Sequence, residues 1–136
     1  MIKIIYGSKG SGKTKLIIDG ANANVENDCV GDVVFITDTS RYIHDLKYQI
    51  RFTNTKEANI TTEDGLIGFI SGMMEANYDI RYIYIDGAAR MIGKSLSEME
   101  NFFKRIEKLS KKSESDFTFT ISADLDDIPE FIKCYI

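Results

Sequence analysis

The amino-acid sequence predicts an α/β fold with three layers, α/β/α, built on a mainly parallel five-stranded sheet. Two observations lead there. Short apolar runs rich in β-branched residues alternate with helical stretches along the whole chain, the rhythm that crossovers between parallel strands produce. No repeat, low-complexity tract or linker interrupts it over 136 residues, a length that suits one domain and is short for two. A single domain over residues 1–136 is therefore expected.

The elements follow in order. Residues 2–6 form an apolar run, followed by a Gly/Ser/Lys loop and a helical stretch over 13–23. Residues 33–37 form a second strand-like run. Thr39 or Ser40 can cap a helix to about residue 50, with Ile43, Leu46 and Ile50 on one face. Residues 57–60 read as a short extra edge strand. Thr61 or Thr62 caps the next helix, which runs to about residue 77 and is apolar nearly all round, so its burial is expected. Gly65, Gly68 and Gly72 each cost that helix about 1 kcal/mol of propensity, and close approach to a neighbouring element would offset this. A third strand over 81–85 ends in Asp86. Ser95-Leu96-Ser97-Glu98 is a capping box for a helix to about residue 111 with an apolar stripe from Leu96 to Ile106. Residues 117–122 and 131–136 read as the fourth and fifth strands.

Composition narrows the class. The chain is 43% apolar and 28% charged, the balance of a soluble globular protein. Its net charge of −4 argues against general nucleic-acid binding, which rewards a basic face. The exception is the stretch from Lys104 to Lys112, with five Lys/Arg and one Glu, read as a solvated helix end. Cys29 and Cys134 match no metal spacing and read as buried or incidental thiols. The first residues lack the apolar core of a signal peptide, and no apolar run reaches the ~20 residues that span a bilayer. A cytoplasmic protein with no membrane partner is expected.

The chemistry concentrates where the first strand ends. Gly7-Ser8-Lys9-Gly10-Ser11-Gly12-Lys13-Thr14 fits Gly-x-x-x-x-Gly-Lys-Ser/Thr at every fixed position. Small residues let backbone N–H groups curl around phosphate oxygens, and the following helix aims its positive end at the same anion. Lys13 brings a full charge to the outer phosphates, the Thr14 hydroxyl can ligate Mg²⁺, and Lys15 lies on the same first turn. A strand precedes the loop and a helix follows it. In a parallel sheet ligands sit beyond the carboxyl ends of strands, which brings Asp86 near this loop. There it can hold Mg²⁺ through the ion's water shell.

The two motifs resemble those of the P-loop NTPase superfamily, with Gly7 to Thr14 as Walker A and Tyr82 to Asp86 as Walker B. Strand count is similar to the RecA-like branch. With the five expected strands numbered in chain order, that resemblance implies a sheet order of 5-1-4-3-2, with Ser122 at the tip where the branch keeps a polar sensor. It implies ATP or ADP with Mg²⁺ as ligands. No Asn-Lys-x-Asp segment appears, since Asn54-Thr55-Lys56-Glu57 has the wrong order, and adenine is favoured over guanine. The chain departs from the branch beside Asp86: Gly87, Ala88 and Ala89 follow, where a water-orienting Glu is usual. Asp38, at the end of the second strand, is the substitute, and a turn or helix-capping role competes with this. The catalytic candidates are thus Lys13, Asp38 and Asp86.

Other residues carry weaker readings. Arg41 and Arg90 follow strand ends and could neutralise phosphate, though a solvated surface role is commoner. His44 reads as an ordinary surface or packing residue. Asp124, Asp126 and Asp127 read as a turn with a helix cap before Pro129 rather than a metal site. Three functions fit: a small ATPase or ATP-dependent switch acting with a protein partner or its own copies, an ATP-binding module without appreciable hydrolysis, and a small-molecule kinase or nucleotidyl transferase. Type II thymidine kinase resembles this scaffold but has zinc-binding cysteines that this chain lacks.

Overall fold

The computed structural model describes residues 1–27 and 31–136. Five strands form one parallel sheet: β1 (Ile2–Gly7), β2 (Asp32–Thr37), β3 (Arg51–Asn54), β4 (Ile80–Asp86) and β5 (Asp116–Ser122). Their spatial order is β1-β5-β4-β2-β3, and every ladder between them is parallel. The helices are α1 (Lys13–Asn27), α2 (Glu63–Ala76), α3 (Ala88–Ile92), α4 (Glu100–Ser113) and α5 (Glu130–Lys133). The chain is a three-layer α/β/α fold, as the alternating pattern predicts.

Strand alternation divides the core in two. On one face Ile2, Ile4, Val34, Ile36, Ile83, Ile85, Phe117 and Phe119 pack under α2 to α5. Edge-to-face contacts of Phe119 with Phe102 and Phe103 fasten α4 to β5. On the other face α1 presents Ile17, Ile18 and Ala21 to Val33, Phe35 and Tyr84. The Tyr84 hydroxyl donates to the Gly20 carbonyl at 3.2 Å and to Asn24 Oδ1. Burial, then the nearby Asp116 carboxylate, pushes the Tyr84 phenol up to about 12. It therefore stays a neutral donor that ties α1 to the central strand.

A second fastening is polar. Glu63, buried at the start of α2, accepts from Lys94 Nζ at 2.9 Å, Asn101 Nδ2 at 2.8 Å and Arg105 at 2.9 Å. Desolvation pushes its carboxyl up, and the donors from Lys94, Arg105 and Asn101 together outweigh that and hold it below the usual range. One carboxylate so joins α2, the turn after α3, and α4.

Several expected elements take other forms. The helix expected up to residue 50 is only a 3-10 turn, Ile43–Asp45. Asn22 on α1 donates to the Asp45 carbonyl and accepts from the Lys47 N–H, both at 2.9 Å, and so takes backbone groups that a helix would use. Leu46 and Ile50 still reach the α1-side core, whereas Ile43 is exposed. The extra edge strand lies at Arg51–Asn54 and not at 57–60, which is a turn with Asn59 at φ +57. An edge position asks little apolar content of β3, which hides it in the sequence. Residues 131–136 are no strand. Pro129 precedes the one-turn α5, and Ile128, Ile132 and Tyr135, spaced by four and three, all face the core on a helical period.

The sheet order changes accordingly. Strands at 2–7, 116–122, 80–86 and 32–37 lie side by side as expected, but the fifth strand flanks β2 and leaves β1 at an edge. The Ile4 N–H there donates to the Tyr135 carbonyl at 3.0 Å, so the C-terminal turn covers part of that edge. Helix α2 buries only Glu63, Leu66, Ile67, Ile70 and Met74. Gly68 and Gly72 face open space, with nothing within 4 Å of where a methyl would stand, so no close approach explains them. The box at Ser95 forms, its N–H donating to Glu98 at 3.1 Å, but it opens a 3-10 turn ahead of α4. Among the described residues no helix is long and apolar enough to cross a membrane.

Tyr84→Phe is expected to lower stability by about 1 kcal/mol, read as a fall of a few degrees in Tm. Because Glu63 has a depressed pKa, its contribution is present above the unfolded-state value of about 4.3 and is lost as pH falls through the folded one. Acid titration of Tm should therefore be shallower in Glu63→Gln than in wild type below about pH 4.5.

Candidate functional site

Parallel strands put all five carboxyl ends on one rim, and the polar groups gather there. Residues 8–12 join β1 to α1. A methyl at Gly7 would stand 2.5 Å from Ser11 Oγ, so a larger residue there would push the Ser11 side chain aside. Gly10 and Gly12 adopt φ +84 and +90, the left-handed region that other residues avoid. Ser11 N–H closes the loop on the Ser8 carbonyl at 3.1 Å. Lys13, buried, arches back so that its ammonium donates to the same carbonyl at 2.8 Å.

The start of α1 differs from that of α2. In α2, the Thr62 hydroxyl accepts from the Gly65 N–H at 3.0 Å, and Glu63 and Asp64 sit in the first turn. The first turn of α1 holds no acidic residue. The positive pole of α1 is therefore not offset by a carboxylate of its own first turn. Ser8, Lys9 and Ser11 are exposed on this loop, and Lys15 pairs with Asp19 at 3.0 Å.

Asp86 ends β4 beside this loop and is buried. Thr120, its neighbour on β5, donates to Oδ1 at 2.6 Å and accepts from the Gly87 N–H at 3.1 Å. With both roles of that hydroxyl used, the carboxylate is locked and Oδ2 faces the Thr14 hydroxyl at 3.5 Å. Thr14 and Asp86 thus offer two oxygens to one point. Among the described residues no three His, Cys, Asp or Glu side chains gather as a metal site. A cation here would rely on ligand oxygens and water, which fits Mg²⁺ and its few protein ligands.

Asp38 directly follows β2 and is buried, but it is not free. Arg90, in α3, binds it in a fork: Nε to Oδ2 at 2.7 Å and the terminal nitrogen to Oδ1 at 2.9 Å. The Arg90 guanidinium holds the Asp38 carboxyl below its ordinary value against the opposing effect of burial. Asp38, and at longer range Asp86, raise Arg90 in turn. Gly87, at φ +85, lets the chain turn beneath that guanidinium, where a methyl would collide with it.

A cleft of about 670 Å³ opens from the loop along α1, a size suited to a small organic ligand. Gly10, Gly12 and Thr14 line one end, and Ile18, Tyr42, Asp19 and Asp45 the other. Arg41 is exposed and lies over the Tyr42 ring, 5.5 Å from its centre. It does not join the Asp86 group. His44 is exposed in its 3-10 turn. Ser122 is exposed at the end of β5, paired with Gly7. Asp124, Asp126 and Asp127 lie in and before a 3-10 turn, all three exposed. The basic stretch of α4 is met by carboxylates: Lys104 by Glu100, Arg105 by Glu63 and Asp64, Lys111 by Glu107 and Lys112 by Glu75. Cys134 is exposed, and Cys29 lies outside the described residues.

Sequence reasoning missed Thr120 and Tyr42. For Thr120 a signal exists: Thr118, Thr120 and Ser122 alternate with Phe117, Phe119 and Ile121, so one face of β5 is all hydroxyl. For Tyr42 there was none, since its place depends on the Asn22 bonds. No protein-family model and no curated protein matches the chain.

Arg90→Ala should destabilise the protein by about 1 kcal/mol, a modest figure because the Arg90 side chain is 58% exposed. The loss is expected to shrink in the Asp38→Asn background, a coupling that a double-mutant cycle of denaturant midpoints measures.

Proposed function

We propose that this chain binds Mg-ATP on the loop from Gly7 to Thr14 and works as a small ATPase or ATP-dependent switch, with a protein partner or its own copies. One observation carries the reading: a glycine-turned loop, a lysine arched over it and a helix start without acidic residues meet Thr14 and Asp86 at the rim. Each part has a role in that reading. The loop and α1 take phosphate oxygens by backbone N–H groups. Lys13 exchanges the Ser8 carbonyl for a phosphate oxygen. Thr14 and Asp86 hold Mg²⁺, which would neutralise phosphate charge. The base and ribose extend into the cleft, with Ile18 and the Tyr42 ring as apolar surface and Asp19 and Asp45 as acceptors for an exocyclic amine. The resemblance to P-loop NTPases of the RecA-like branch agrees with these roles.

Hydrolysis asks for one thing more, a group to orient water. Asp38 stands at a suitable strand end, yet its two oxygens are taken by Arg90. That pair favours a second reading, an ATP-binding module with little turnover until Arg90 is drawn away. An Arg90 released toward phosphate would free Asp38 and neutralise charge on the transferring group together.

Thermal unfolding with excess Mg-ATP tests the main reading. A ligand at ~100 times its Kd stabilises by about 2.7 kcal/mol, a Tm rise of roughly 10 °C for a chain of this size. Wild type should shift and Lys13→Ala should not; a wild type that stays unmoved at millimolar Mg-ATP overturns the reading. Steady ADP release that disappears in Lys13→Ala would favour the ATPase over the silent module.

A further inference from the structure

Along α1, Lys15, Asp19, Asn22 and Glu26 are spaced by four, three and four, so they share one face of the helix. The segment before β3 runs beside that face and meets it unevenly. At the phosphate end Tyr42 and Asp45 stand off from Ile18 and Asp19, and the cleft of about 670 Å³ lies between them. Farther along, the segment closes on the helix. Asn22 donates to the Asp45 carbonyl and accepts from the Lys47 N–H, both at 2.9 Å, and Lys47 Nζ reaches Glu26 at 2.6 Å. The cleft is thus a wedge, open toward Gly12 and Thr14 and closed beyond Asp45 by the Asn22 contact.

The register of the wall opposite α1 comes from that amide. The wall's own backbone bonds, Ile43 N–H to the Ser40 carbonyl at 3.2 Å and Asp45 N–H to the Tyr42 carbonyl at 3.0 Å, stay within the turn. Tyr42 and Leu46 are half-buried against the α1-side core, a non-directional contact. The Lys47–Glu26 pair is exposed and contributes little. Asn22 supplies direction: one amide gripping a carbonyl and an N–H two residues apart fixes where the turn sits along α1 and how it is rotated. Tyr42 and Asp45 take their places on the cleft from that grip.

We infer that Asn22 is a positioning residue for the nucleoside half of the ligand: its amide sets the width of the cleft into which sugar and base extend. The inference rests on the Mg-ATP reading of the loop. Asn22 acts through Tyr42 and Asp45 rather than by touching the ligand. A wall already in place in the empty protein spares the ligand the cost of ordering it. A wall in place a tenth of the time weakens binding about ten-fold. The phosphate loop lies at the other end of the wedge and is closed separately, by the Ser8 carbonyl that takes the Ser11 N–H and Lys13 Nζ.

The test compares Mg-ATP with Mg-tripolyphosphate, which has the phosphates and no nucleoside, by calorimetry alongside Tm of the ligand-free protein. Wild type should prefer Mg-ATP. Asn22→Ala should bind Mg-tripolyphosphate as wild type does and lose about ten-fold in Mg-ATP affinity. Asn22→Asp keeps the acceptor for the Lys47 N–H but has no donor for the Asp45 carbonyl; it should lose the preference too, and serves if the alanine variant does not fold. Asn24→Ala is the matched control, since Asn24 is half-buried on the same helix but accepts from the Tyr84 hydroxyl on the sheet. It should lower Tm as Asn22→Ala does and keep the full preference. Asn22 variants that keep the full preference or lose tripolyphosphate as well, an Asn24→Ala protein that loses the preference equally, or a wild type that binds both ligands alike overturns the inference while leaving the loop's role intact. A wild type that binds neither overturns the Mg-ATP reading and this inference with it.

Discussion

The direction of the strands governs this molecule. With every ladder parallel, each strand must return over the sheet before the next begins, and all five carboxyl ends fall on one rim. Gly7, Thr37, Asn54, Asp86 and Ser122 are the last residues of their strands, and none of them is strongly apolar. Ahead of those ends, Val33 to Ile36 of β2 and Ile83 to Ile85 of β4 are buried. Polarity is therefore concentrated at one end, where the backbone leaves the ladder and its N–H groups need new partners. The Ser11 N–H after β1 turns back on the Ser8 carbonyl, and the Gly87 N–H after β4 finds the Thr120 hydroxyl.

The two faces of the sheet divide the work. The face under α2 to α5 is the larger core, with four stacked or edge-on phenylalanine rings holding α4 to β5. The other face carries α1, whose position sets the geometry of the loop. Tyr84 fastens the middle of α1, Asn22 ties its flank to the segment before β3, and the Ile17 and Ile18 side chains fill the space between. The candidate site is thus supported by ordinary packing of one helix on a tyrosine and a phenylalanine.

Much of this was legible in the sequence, for physical reasons. The loop spells its own geometry, because glycine is the residue best suited to the positive φ angles at residues 10 and 12. β2 and β4 announce themselves by apolar runs, since burial on both faces leaves little room for polarity, and β5 by its alternation of apolar and hydroxyl residues. What escaped was set by contacts distant in sequence. Residues 39–50 carry a helical spacing, yet Asn22 captures their backbone; residues 131–136 look like an apolar strand, yet Pro129 starts a turn of helix that faces α4. Edge strand β3 needs few apolar residues and shows few. The Asp38–Arg90 fork depends on how the end of β2 and the start of α3 come together, which no local pattern encodes.

The placement of β1 has a consequence for how the chain assembles. β1 has one strand partner, β5, and its remaining edge is touched by the turn at Tyr135. Both lie far along the sequence, so the strand that leads into the phosphate loop is synthesised before the other four and paired last. During translation β2, β3 and β4 can join under α2 while β1 and the loop still wait for a ladder. Loop closure over nearly the whole chain is the entropic step that completes the rim. The loop therefore acquires its shape only when β5 arrives, and a ribosome-bound chain lacking those residues would carry the full glycine signature without the cradle it encodes.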